Sequence, residues 1–64
     1  MMKWVSRLDL FPGETIYGFE DGKKSYIVAA GMVIEKISPD GVMVKYHYGE
    51  TELVSPKARF LARR

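Results

Sequence analysis

Few residues in this chain can do covalent chemistry. Cysteine is absent, so thiol nucleophiles, disulfides and thiolate metal sites are excluded. Nucleophilic catalysis needs a nucleophile, a base and a group that orients the base. The single histidine, His47, would have to activate a hydroxyl among Ser6, Ser25, Ser38, Ser55, Thr15 and Thr51. It stands between Lys45 and Gly49 with only Glu50 close by in sequence, and it reads as a surface histidine. Two carboxylate pairs, Glu20/Asp21 and Glu50/Glu52, would need apolar surroundings before either could hold a proton for acid–base work. They fall at strand ends and turns, where charge is solvated and discourages edge-to-edge aggregation. Gly13, Gly18 and Gly22 open no helix and so form no phosphate cradle. The chain therefore reads as non-catalytic, with no cofactor and no metal site.

Aromatic rings and a cationic end remain. Tyr17, Phe19, Tyr26 and Tyr48 fall on or beside predicted strands, and rings so placed can stack bases, accept a Pro-rich segment or surround an alkylated cation. They are the expected contact residues for a protein partner, whereas Tyr46 is assigned to packing. Residues 1–56 carry six Lys/Arg against eight Asp/Glu, while the last eight residues hold four Lys/Arg and no acid. Lys57, Arg59, Arg63 and Arg64 are thus the candidates for phosphate contacts if the partner is nucleic acid, the alternative being a solvated terminus. Met32, Ile34 and Met43 form a candidate self-association patch.

Such handles need a scaffold. The 64 residues, 47% hydrophobic and 28% charged, suffice for one small domain. A domain of this size buries only about 60% of its unfolded surface and commonly needs a staple. Without cysteines, the options are a well-packed core or a homodimer. No apolar run suits a signal peptide or a membrane span, and a reducing cytoplasm is expected.

Gly13, Gly22, Gly31, Gly41 and Gly49 recur 8–10 residues apart, a spacing that predicts short strands joined by turns. The clearest hairpin is Val33–Ile37, a Ser38-Pro39-Asp40-Gly41 turn, and Val42–Tyr48. With Ile37 opposite Val42, one face collects Val33, Ile37, Val42, Val44 and Tyr46, and this is the expected core face. The other collects Ile34, Lys36, Met43, Lys45 and His47. Glu35 then falls on the core side, which a bulge or a rim position would relieve. Tyr26 to Ile34 is uncharged and does not alternate, so it either bends at Gly31 or is covered by another copy of the chain. Thr15–Glu20, Thr51–Val54 and Phe60–Ala62 are further strands. Ser55-Pro56-Lys57-Ala58 predicts one 3₁₀ turn, with Ser55 as N-cap. The expectation is an all-β fold of five strands over residues 12–64, with residues 1–11 as an N-terminal arm. Trp4, Leu8 and Phe11 in that arm must cover an open end of the domain or a neighbouring subunit.

Five short strands, a long second strand with a central glycine, a tight hairpin and a 3₁₀ turn before the last strand resemble the SH3-like small barrels, Tudor and KOW domains included. More narrowly, PGETIYGF, GMVIEKI and the VKYHYGETELVSPKARFLARR end look like a group of small stand-alone bacterial and phage proteins. That resemblance, over about residues 12–63, implies a strongly bent antiparallel SH3-like barrel and brings no activity with it. The catalytic plasmid-type dihydrofolate reductases of that fold carry V-Q-I-Y where this chain has Thr51-Glu52-Leu53-Val54. A non-catalytic binding or adaptor module is therefore expected, most simply for a protein partner, with nucleic acid as the alternative and no membrane partner.

Overall fold

Every element of the computed structural model, which describes residues 1–64, is a strand except one 3₁₀ turn. The strands are β1 (Met2–Ser6), β2 (Thr15–Asp21), β3 (Lys24–Ser38), β4 (Gly41–Tyr46), β5 (Thr51–Val54) and β6 (Arg59–Arg63). They form one antiparallel sheet in the order β1-β6-β2-β3-β4-β5. A single flat sheet is only one layer deep, and even two stacked sheets lie only about 10 Å apart. The molecule measures 26 × 25 × 22 Å, so the sheet is rolled upon itself. The core lies on the concave side, around the fully buried Phe60, Ile16, Met32, Ile34, Val42 and Val44.

The chain has six strands, one more than its sequence predicts. The extra one is the arm: Met2–Ser6 pairs along β6 from Met2↔Arg63 to Ser6↔Arg59. Its alternation sends Val5 against the core and leaves Trp4 on the other face, opposite Leu61. The 3₁₀ turn also moves. It occupies Arg7–Asp9, where the Ser6 hydroxyl oxygen accepts from the Leu8 amide at 3.3 Å. Ser55–Ala58 is a plain turn, closed by the Ala58 amide donating to the Ser55 carbonyl at 3.1 Å. β1 and β5 are the two edges and do not pair with each other, so the sheet is open.

Two β-bulges set which side chains enter the core. In β2, Ile16 pairs with Ala62 and Phe19 with Phe60, so Tyr17 and Gly18 together oppose Leu61. The extra residue shifts the alternation, and Ile16 and Phe19, three apart, are both buried. In β3, Ile34 pairs with Val44 and Lys36 with Met43, leaving Glu35 without a partner. Ile34 and Ile37, again three apart, therefore both meet the core. The predicted pair Ile37↔Val42 is present. Upstream of the bulge, however, the predicted faces are exchanged: Ile34 and Met32 are inside, and Val33 is 43% exposed.

β3 bends where its sequence predicts. Val28–Gly31 occupy the stretch opposite Tyr17 alone, between Gly18↔Ile27 and Ile16↔Met32. Gly31 has φ +83°, and a β-carbon there would lie 2.8 Å from Thr15 Cγ2. Only glycine combines that backbone with that approach. Gly41 is constrained still more closely, since a β-carbon would sit 2.3 Å from the Val54 carbonyl oxygen on β5.

Candidate functional site

The four aromatic residues singled out as contacts do not share one surface. Phe19 is 4% exposed and belongs to the core, a correction that follows from the β2 bulge. Its ring meets Tyr26 at 5.1 Å between centroids, as expected for the cross-strand pair Phe19↔Tyr26. Tyr26 itself is 48% exposed and Tyr48 is 61% exposed. Tyr46 and Tyr48 stack at 5.3 Å with an interplanar angle of 14°, and His47 meets the Tyr48 ring edge-on at 5.1 Å.

Tyr46 anchors this cluster. It pairs with Met32 at the end of the core, and its hydroxyl donates to Glu52 Oε1 at 2.7 Å. Burial, then the Glu52 hydrogen bond and charge, then the nearby Tyr48 and Tyr26 phenols push the Tyr46 phenol up to about 12. The Tyr46 amide also donates to the Glu50 carbonyl, 2.8 Å away, which closes the turn that carries Tyr48. Tyr46 and Tyr48 thus stack at one end of the sheet beside the Glu52 carboxylate, with the Tyr26 phenol near enough to act on that of Tyr46. Tyr46, assigned to packing by its sequence context, is the ring on which Tyr48 stacks.

Tyr17 lies elsewhere. It projects from the outer face of β2, and the Arg63 guanidinium carbon sits 5.8 Å from its ring centroid.

The C-terminal cations are divided as well. Arg64 forms a two-pronged ion pair with the buried Glu14 carboxylate, one prong from Nη2 to Oε1 at 3.2 Å. It also donates to the Asp9 and Arg63 carbonyls, and its own amide donates to the Met1 carbonyl at 2.7 Å. Glu14 in turn accepts from the Phe11 amide at 3.4 Å, and the Ile34 amide donates to its carbonyl at 2.8 Å. Arg64 is therefore a clamp between the chain ends and the start of β2, and not a free phosphate ligand. Arg59 reaches over β1, its Nη2 donating to the Trp4 carbonyl at 3.2 Å. Lys57 is exposed and its ammonium forms no ion pair.

The self-association patch is also corrected. Met32 and Ile34 are each 1% exposed, and only Met43 reaches the outer face, beside Leu53. There an open depression of about 170 Å³ is lined by Lys36, Ser38, Asp40, Gly41, Met43 and Leu53. In the arm, Leu10 is buried while Leu8 and Phe11 are 79% and 57% exposed, so only part of the arm covers the core. No three His, Asp or Glu side chains converge on a common point, and no helix is long and apolar enough to cross a membrane. Comparison of the chain with family models, curated proteins and solved structures returns no match.

Proposed function

We propose that the protein is a non-catalytic binding module, built as a small SH3-like barrel, that takes an extended protein segment across Tyr26, Tyr46 and Tyr48. The succession β6-β2-β3-β4-β5, a meander whose last strand returns beside its first, supports the barrel assignment, as does the bend at Gly31. One observation carries the binding reading: three phenol rings lie near one another at the end of the core, two of them about half exposed or more, with the Glu52 carboxylate at their margin. Rings left in water at that density are unexplained by core packing. The Glu52 carboxylate, with Glu50 in the adjoining turn, disfavours phosphate and favours a segment bearing Lys or Arg, whose stems pack on rings and whose charges meet acids. The reading needs no second copy of the chain, because two of the three residues proposed for self-association are core.

The test is a titration with a Lys/Arg-rich peptide and an acidic peptide of equal length, read by amide chemical shifts. The basic peptide is expected to move Tyr26, Tyr46 and Tyr48, with affinity falling at least tenfold in the Tyr26→Ala/Tyr48→Ala variant. Equal binding of the acidic peptide, or undiminished binding by that variant, overturns the reading.

A further inference from the structure

The outer face of β1, β6 and β2 is a second aromatic surface with the opposite charge. Alternation along β6 points Phe60 and Ala62 inward and Arg59, Leu61 and Arg63 outward. Trp4 lies opposite Leu61 on β1, and the β2 bulge places Tyr17 opposite Leu61 from the other side. A Trp4–Leu61–Tyr17 strip thus crosses three strands, none of the three buried and none fully exposed. Trp4 and Tyr17 stand two strand spacings apart, about 10 Å. Arg59 and Arg63 flank the strip, about 13 Å apart along β6. Neither arginine is bound to a carboxylate: Arg63 covers Tyr17, and Arg59 uses one N–H on the Trp4 carbonyl.

We infer that this face binds single-stranded nucleic acid, with bases stacked on Trp4 and Tyr17 and phosphates held by Arg59 and Arg63. Guanidiniums without a carboxylate partner, beside partly exposed rings, match the two recurring parts of such sites, a cationic track and stacking platforms. A chain of alternating rings and anions presents the complementary pattern, and the spacing of the arginines equals about four stacked nucleotides. Glu20, register partner of Arg59 across β2 and β6, forms no ion pair with it and opposes the ligand. The site is separate from the tyrosine end and does not depend on it.

Trp4 is the chain's only tryptophan, so its fluorescence reports this face alone. Titration with oligo(dT) is expected to quench that emission, with a log–log salt slope of about −1.4 for two phosphate contacts. Arg59→Gln/Arg63→Gln should lose at least tenfold in affinity and flatten the slope. Tyr17→Leu should weaken binding while leaving the slope intact, Glu20→Gln should tighten it, and Tyr48→Ala should change nothing. Circular dichroism and thermal melting of each variant establish that it is folded. Absence of quenching, unchanged affinity in a folded double-arginine variant, or a response to anionic lipid vesicles without one to oligo(dT) overturns the assignment. Failure of the basic peptide to bind Tyr26 and Tyr48 leaves it standing.

Discussion

Two regions of this molecule expose aromatic rings, and they differ in how the rings are held and in what surrounds them. At the tyrosine end, Tyr46 is fixed by its hydrogen bond to Glu52, Tyr48 stacks on Tyr46, and that carboxylate borders the group. On the outer face, Trp4 and Tyr17 are fixed by strand pairing and a bulge, and arginines border them. Rings supply a similar stacking energy to any partner with a flat or apolar face, so they do not choose between peptide and nucleic acid. The bordering charge does. The C-terminal cations show the same rule from the other side: Arg64, two prongs deep in Glu14, holds the fold together, while its neighbour Arg63 faces outward.

Both regions rest on one core, and the largest predicted effect removes both. Phe60→Ala deletes the largest fully buried side chain, at a cost of about 3–5 kcal/mol. That is comparable to the whole stability of so small a domain. The variant is expected to be unfolded by circular dichroism and to bind neither ligand.

Gly31→Ala separates the regions. Its β-carbon would press on Thr15 and lie 3.3 Å from Tyr17 Cε1, in a backbone conformation that costs about 1–3 kcal/mol for a non-glycine residue. A fall in melting temperature with a disturbed Tyr17–Arg63 contact, seen in Tyr17 chemical shifts, is expected. The Tyr46–Tyr48 stack should persist.

The smallest effect belongs to the tyrosine end alone. The Tyr46 phenol is raised from 10.0 to about 12 in the folded chain, so its protonated form is favoured by folding. Its contribution is complete below pH 10 and is lost as pH rises from 10 to 12. Absorbance titration should show one tyrosine ionising near pH 12. Tyr46→Phe should abolish the late ionisation and cost no more than about 1 kcal/mol at neutral pH. Oligo(dT) binding by Trp4 should be untouched by that change.

The tight turn was the most legible feature. Pro39, Asp40 and Gly41 dictate a local geometry, and local geometry fixed Ile37 opposite Val42. The bend at Gly31 was legible for a similar reason, because an uncharged run that fails to alternate needs a discontinuity. What strict alternation could not reveal was the position of the bulges. One surplus residue at Glu35 reverses every assignment upstream of it, which moved Met32 and Ile34 from a supposed contact patch into the core. The same device in β2 moved Phe19 inward and left Tyr17 outside. β1 was hidden because the adjacent apolar residues Trp4 and Val5 break the alternation that marks a strand, and only the pairing with β6 makes Met2–Ser6 one.

Composition and punctuation alone determined that this chain is all-β and lacks the groups for thiol or multi-histidine chemistry. Backbone preferences act over a few residues, so turns, bends and strand character could be read directly. Which rings stand together, and which cations remain free, was decided only by the tertiary structure. Those outcomes depend on pairings between residues such as Met1 and Arg64, or Glu14 and Arg64, far apart in the chain. A local pattern carries no record of its distant partner.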